Sequence, residues 1–555
     1  MTGPKPASAA GAPGPTGDPE GETSRGATAP LQAPEGARVA LSLISHTNAG
    51  KTTLARTLVG RDVGVVRDAQ HVTQEATAYP LIGTPEGDTL VLWDTPGFGD
   101  SARLAKRLAQ QGNPVGWFLS QVWDRFRDRA FYLSQLAVRN VREQADVVVY
   151  LVNASEAPAD AGYLGPEMDV LAWIGRPVIV VLNQTGRPRP ADEEAADEAR
   201  WREALAARLM HGADDGATPG EGPARRRAES TGPRRFVHAV TTLDAFARCW
   251  VQEISLFELI GDALPADRQP AFARLSREWQ QRRLAAFDES MAVLASTLAR
   301  AACDREPLPA AGLGGTLREL GRSLGFGRDR ADDGKARAAE ALASRLDFSL
   351  RESTDRLIAL AGLDGSAKGD VLSRLASGIA LDAPIDEGRA AVMGGVVSGA
   401  LTGLAADLAA GGFTFGAGML AGAILGALGG AGLARGVNLV RGKAGAALRW
   451  DDAFLAGLAA SSVLRYLAVA HYGRGRGGFV ETEYPPFWPP LVKEAIERRS
   501  GELTAAWSAR EAGDAEAVAA AIRPVLAAIV RDVLERLYPG TRAFAQAGGT
   551  SSAPG

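Results

Sequence analysis

A doubly wound α/β sheet, followed by a mostly α-helical region with a glycine-rich helical hairpin, is the fold class this sequence predicts. Three observations predict it. Short apolar, β-branched runs alternate with helical stretches over the first part of the chain. A Gly-Lys-Thr turn follows the earliest of those runs and opens a helix. Later the strand signals stop, and many of the 65 glycines gather in one weakly polar stretch.

Val39-Ala-Leu-Ser-Leu-Ile44 reads as a buried strand, and Thr53-Leu-Ala-Arg-Thr-Leu-Val59 has helical spacing. Between them Leu43 to Leu54 reads L-I-S-H-T-N-A-G-K-T-T-L. Strand, small-residue loop, Lys, hydroxyl pair and helix describe a phosphate-binding loop. The loop from Ser45 through Asn48, Ala49 and Gly50 to Thr53 would turn backbone N–H groups onto a polyphosphate. Lys51 would reach its β/γ oxygens, and the Thr52 hydroxyl would sit on Mg²⁺. Ser45 stands where the pattern G-x-x-x-x-G-K-[ST] has its first Gly, and it is less free to take φ > 0.

Arg61 to Thr77 is polar and irregular, as a switch segment would be. One threonine there should serve the metal and the γ-phosphate: Thr73 by its distance from Lys51, with Thr77 as the alternative. Thr89-Leu-Val-Leu-Trp-Asp-Thr-Pro-Gly-Phe-Gly-Asp100 is a strand ending in D-T-P-G. That places Asp94 at a strand's carboxyl end, where it can hold the Mg²⁺ water shell, and lets the Gly97 N–H sense the γ-phosphate. Together the two motifs resemble the Era- and TrmE-like branch of the translation-factor class of P-loop GTPases.

The resemblance implies GTP as the bound nucleotide, with Mg²⁺. Phe98 follows Gly97 where Ras-like GTPases carry a water-orienting Gln, which implies slow intrinsic hydrolysis. Asn48 matches the loop Asn that ligates K⁺ in cation-dependent relatives; a plain turn-forming Asn is the other reading. Partners allowed by this reading are a guanine nucleotide, membrane lipid and a homodimer formed through the nucleotide domains.

Two further buried strands are expected at Ala145–Val152 and Arg176–Leu182, and a last one at Phe236–Thr242. Between Ser101 and Gln144 the large apolar residues Trp117, Phe118, Trp123, Phe126, Phe131 and Tyr132 read as core anchors. The strand before Asn183 ends in N-Q-T-G, where relatives carry N-K-x-D. Asn183 matches, but Gln184 replaces the Lys and Gly186 the Asp that pairs with guanine. Guanine selectivity therefore loses its main acceptor unless another carboxylate moves in, and Thr241 to Asp244 should lie near the base. An ATPase is the rival reading of this erosion. Ser45, Phe98 and N-Q-T-G also admit a scaffold protein whose nucleotide is structural.

Composition narrows the class further. A net charge of −4 gives no reason to expect a general nucleic-acid binder, and no nucleic-acid motif is evident. Two cysteines cannot build a disulfide framework, which fits a reducing cytosol. The five histidines lack ligand spacing.

Residues 1–36 read as a solvated leader, 37–250 as the nucleotide domain, 251–385 as helical, 386–445 as the glycine hairpin, 446–540 as helical and 541–555 as a tail. Within the hairpin, Ala390 to Ala434 carries a single charge, Asp407. Gly395, Gly399 and Gly403, then Gly418, Gly422, Gly426 and Gly430, recur every fourth position. Two such small-xxx-small helices would each approach bilayer thickness, with Arg389 and Arg435 on the cytoplasmic flanks. The expected location is the cytoplasm, with inner-membrane association through residues 390–434; a soluble, tightly packed hairpin is the alternative.

Arg474 and Arg476, in a glycine-rich loop, read as a solvated turn or a phosphate contact, and Tyr484–Pro490 as an extended, proline-locked segment. The whole layout resembles a bacterial group with an Era-like GTPase domain and a helical domain of unknown function, a match strengthened by the run beginning at Arg465. The expected function is a GTP-binding and GTP-hydrolysing switch whose nucleotide state controls the helical part.

Overall fold

The computed structural model describes residues 36–46, 48–60, 77–109, 128–186, 188–211, 236–245, 249–308, 329–363, 437–442, 445–472 and 485–544. Its central sheet contains β1 (Arg38–Ser45), β2 (Thr77–Gly83), β3 (Thr89–Asp94), β4 (Val147–Asn153), β5 (Val178–Asn183) and β6 (Val237–Thr242). Their spatial order is β2-β3-β1-β4-β5-β6, parallel throughout except for β2, which pairs antiparallel with β3. The parallel strands all end at one edge, so the loops after β1, β3, β5 and β6 converge there.

β2 was not legible in the sequence because it carries Pro80. Proline has no N–H for a ladder and is confined to sheet edges or irregularities. β2 is at an edge, and its register shifts between Pro80 and Ile82.

Alternate residues of each strand face opposite ways, and each face is buried by a different set of helices. Ile44, Val148, Tyr150, Val152, Val180 and Leu182 pack with α2 (Ser101–Ala109), α3 (Arg129–Gln144), α4 (Leu164–Ile174) and α5 (Ala191–His211). Phe131 is buried in this layer as expected, whereas Trp117, Phe118, Trp123 and Phe126 lie outside the described residues.

Val39, Leu41, Leu43, Val147, Val149, Leu151, Ile179 and Val181 face the other way. They join one continuous core with α1 (Lys51–Val59), α6 (Trp250–Ala263) and the 35-residue α7 (Gln269–Cys303). That core runs on through α8 (Asp329–Leu360), α9 (Asp452–Ala470), α10 (Trp488–Arg498), α11 (Ser500–Ser508) and α12 (Ala515–Leu537). The nucleotide domain and the helical region therefore share a core.

Polar links tie α6 to α7 and, through Trp250 and Arg274, join the two regions. Glu253 of α6 is fully buried and accepts from Trp279 Nε1 at 3.0 Å and Arg283 Nε at 2.9 Å, both on α7. Trp250 Nε1 donates to Tyr466 OH of α9 at 3.1 Å. Arg274 of α7 donates to Asp88, in the β2–β3 turn, at 2.6 Å.

The helical region also contains a three-stranded antiparallel sheet, β7 (Arg305–Pro307), β8 (Val437–Gly442) and β9 (Gly445–Trp450), in the order β7-β9-β8. The expectation of a mostly helical region named no strand here; β7 is three residues long and pairs with β9, far away in sequence. The expected extended segment at 484–490 is corrected too: Trp488, Pro489 and Pro490 open α10. Proline fits a helix's first turn because its missing N–H would have had no partner there.

Arg465, within the run noted in the sequence, is buried between helices. Its Nη1 donates to Leu350 O at 3.2 Å and to Ser353 Oγ and Thr354 Oγ1 at 3.1 Å, joining α9 to α8. By length and composition one described helix, Asp452–Ala470, is apolar enough to cross a membrane. Two thirds of its most apolar window is buried within the protein, as a core helix would be. The hairpin at 390–434, Arg474 and Arg476 lie outside the described residues.

Candidate nucleotide-binding site

The loop after β1 has the backbone that a phosphate cradle needs. Asn48 has φ 65° and Gly50 has φ 87°, both left-handed, and the chain then turns directly into α1. Asn tolerates that region better than most residues. Gly50 is required sterically as well: a Cβ there would meet Asn183 Nδ2 at 2.4 Å. The first-turn N–H groups of α1, from Lys51, Thr52 and Thr53, point out of its N-terminus, where an anion is favoured.

Lys51 is buried, and its Nζ donates to Ser45 Oγ at 2.9 Å; Ser45 Oγ in turn donates to His46 O. Burial lowers the Lys51 pKa, opposed by the charges of Asp94 and Glu167. The Ser replacing the loop's first Gly thus contributes a side chain to the site.

Thr52 Oγ1 donates to Asp94 Oδ2 at 2.8 Å. The other carboxylate oxygen, Asp94 Oδ1, is buried and has no hydrogen-bond partner among the described residues. Burial pushes the Asp94 pKa up, with the Lys51 charge opposing. An orphaned carboxylate oxygen beside a hydroxyl, next to a phosphate cradle, fits a hard divalent cation with oxygen ligands.

Thr95 Oγ1 donates to Leu43 O at 2.6 Å and Phe98 N to Ser45 O at 3.2 Å, which stitches the D-T-P-G turn to the end of β1. Gly97 is held in this turn, its carbonyl accepting from Ser134 Oγ at 3.3 Å. The Phe98 side chain is 1% exposed and packs beside Tyr150, turned into the core. Of the two switch threonines, Thr77 is the first residue of β2, in register with Asp94; Thr73 lies outside the described residues.

Asn183 and Gln184 fasten the next loop to the cradle. Asn183 is fully buried, donates from Nδ2 to Ala49 O at 2.7 Å and accepts at Oδ1 from Ala245 N at 2.8 Å. Gln184, at φ 59°, donates from Nε2 to Asn48 O at 3.1 Å. The side chain of Asn183 therefore joins the phosphate loop to the loop after β6.

One network at the loop was missed in the sequence. His46 Nδ1 lies 2.7 Å from Glu167 Oε1, and its ring stacks on Tyr163 at 4.2 Å. Glu167, fully buried on α4, also accepts from Tyr150 OH at 2.5 Å. Burial raises the Glu167 pKa, opposed by its bonds to His46 and Tyr150. An acidic residue inside the apolar stretch L-G-P-E-M-D-V-L was the only signal available.

Residues 40–184 match the family model of the 50S ribosome-binding GTPases. The N-terminal part of this chain has the P-loop GTPase fold. Residues 376–530 match a domain of unknown function, DUF3482, so the GTPase part is fused to that domain. None of the curated proteins matches this chain.

Similar solved structures include Era from Aquifex aeolicus bound to GDP and AlF4⁻, at 16% identity over 41% of this chain and 57% of the other, with a TM-score of 0.25. Era with MgGDPNP and a piece of 16S ribosomal RNA is 16% identical over 41% of this chain and 58% of that one, also at 0.25. The chloroplast translocon components atToc33 and psToc159, for whose GTPase activity dimerization is important, are 13% identical over 39% and 72%, again at 0.25. This chain spans less than two thirds of the length of the Era chains it matches.

Proposed function

We propose that this chain is a GTP-binding regulatory switch that hydrolyses GTP slowly and passes its nucleotide state to the helical region. The observation that carries the reading is the convergence of Lys51, Thr52, Asp94, Gly97 and Asn183 at one edge of the sheet, with Asp94 and Thr52 in contact. Mg²⁺, held by Thr52 and Asp94, would neutralise phosphate charge when bound. Lys51 and the amides of residues 48–53 bind the polyphosphate, and the Gly97 amide reports whether the terminal phosphate is there. Thr73 is the proposed switch threonine, and Asn48 the residue a K⁺ ion would use.

The continuous core through α6 and α7 supports transmission, because the strand face beneath the site packs on helices of the other region. A homodimer through the nucleotide domains and insertion of residues 390–434 into the inner membrane belong to the same proposal. The acidic net charge argues only against indiscriminate nucleic-acid binding. A second reading, a structural nucleotide with negligible turnover, is favoured by Phe98, which is buried and cannot orient water.

The deciding experiment measures binding and turnover of GTP and ATP by the full chain, in K⁺ and in Na⁺, with and without anionic liposomes. GTP turnover that rises in K⁺ or on liposomes supports the switch; binding at background turnover in every condition supports the structural reading. Lys51→Ala is expected to abolish binding, and GTP affinity equal to wild type in that variant would sink the phosphate-loop assignment.

A further inference from the structure

Guanine differs from adenine along the edge that carries N1–H and the 2-amino group, both of them donors. A site that selects it gains most from a carboxylate accepting both, since bonds to a charged acceptor are the stronger kind. The N-Q-T-G turn has no carboxylate to offer: Gly186 stands at φ 86°, and apart from its chain neighbours no atom of the described residues lies within 4 Å of where its Cβ would be.

A carboxylate reaches the same turn from the opposite side. Asp244, two residues beyond β6, is 5% exposed. Its Oδ2 accepts from Thr185 N at 2.7 Å and from Thr185 Oγ1 at 3.2 Å, so it lies beside the residue preceding Gly186. Its neighbour Ala245 is fixed by N–H donation to Asn183, which also holds the phosphate loop. Asp244 is therefore tied through a single side chain to the cradle that would hold the phosphates. Thr185, Gly186, Thr242 and Asp244 line one cleft, closed from the helical region by Phe487 and Tyr538. Among the described residues Glu194 is the other acidic residue lining the cleft, and its carboxylate accepts from the backbone N–H of Arg189 at 3.1 Å.

We propose that Asp244 is the acceptor that reads the N1–H and 2-amino edge of guanine, so that base selectivity resides in the loop after β6. The assignment rests on the guanine-nucleotide reading above. It explains how the chain can lose the acidic residue after β5 and still select guanine.

The chemistry supplies a gain-of-function test. Xanthine carries a carbonyl where guanine has its 2-amino group, so an amide that donates suits xanthine as a carboxylate suits guanine. Binding of fluorescent GTP, XTP, ITP and ATP to the full chain is measured for wild type, D244N, D244S and E194Q, each checked by thermal melting. Wild type should prefer GTP to XTP and ATP. D244N should lose about tenfold to a hundredfold in GTP affinity and gain affinity for XTP. A gain of that kind cannot come from misfolding.

D244S keeps a hydroxyl near Thr185 and provides a second route if D244N fails to fold. It should erase the preference for GTP over ITP, which lacks only the 2-amino group. E194Q should keep the wild-type order. D244N or D244S with the wild-type preference overturns the assignment, as does a switch to XTP produced by E194Q. A wild-type protein that binds none of the nucleotides instead overturns the guanine-nucleotide reading itself, and the two failures are thereby distinct.

Discussion

The two faces of the central sheet are made from the same strands, yet they belong to different structures. The face carrying Val148, Tyr150 and Val180 is closed by α2 to α5, helices interleaved in sequence with the strands they cover. The face carrying Leu41, Val149 and Val181 is closed by α1 and then by α6 and α7, with which the helical region begins. One layer is local and would form within the nucleotide domain. The other is completed only by chain far downstream, and the difference teaches that the domain boundary read near residue 250 cuts through a core. The shared core is the route the proposed switch would use, since packed cores transmit small shifts poorly as gradual deformation and well as repacking.

The strongest way to break this comparison is to remove the second layer. A fragment of residues 36–249 should fail to fold cooperatively and should bind hydrophobic dyes, because one sheet face and α1 lose their cover. A sharp thermal transition and native-like circular dichroism in that fragment would show both faces to be locally sufficient.

A smaller effect is expected at the buried pair between α6 and α7. Glu253→Ala leaves Arg283 and Trp279 without their buried acceptor and should cost about 3–5 kcal/mol, read by chemical denaturation of the full chain. A change within experimental error would mean that the pair is dispensable to the shared core.

The smallest effect concerns pH. The Arg274 guanidinium, assisted by Ala37 N–H and Thr84, holds the Asp88 carboxyl below the usual range despite opposition from burial. A carboxyl depressed in the folded state adds stability in full above its unfolded pKa of about 3.9, and loses it as pH falls through the folded value. Asp88→Asn should therefore lower stability at neutral pH and make the acid limb of the stability curve shallower. An unchanged acid limb would remove the β2–α7 link from the account.

Much of the site could be read from the chain alone, because local rules fix it. A strand, a small-residue turn and Gly50-Lys51-Thr52 are the pattern expected of a phosphate-binding loop, and D-T-P-G after a strand places Asp94 at a strand's carboxyl end. β2 was hidden by Pro80 although its partner β3 follows after a short turn, and β7 by its three-residue length and its pairing with the distant β9. The Glu167–His46 contact spans 121 positions and no local pattern announces it; Thr241 to Asp244 were expected near the base, but the Asp244–Thr185 contact, across 59 positions, was not.

The sequence by itself determined the cradle, the run of α and β elements in the nucleotide domain and the loss of an acidic residue at Gly186, all of them consequences of neighbours within a few residues. Only the tertiary structure decided that Phe98 turns inward, that Asp244 meets the turn where that acid is missing, and that one sheet face is finished by the helical region. These depend on burial and on charges brought together across long stretches of chain. Their energies exist only once the parts have packed.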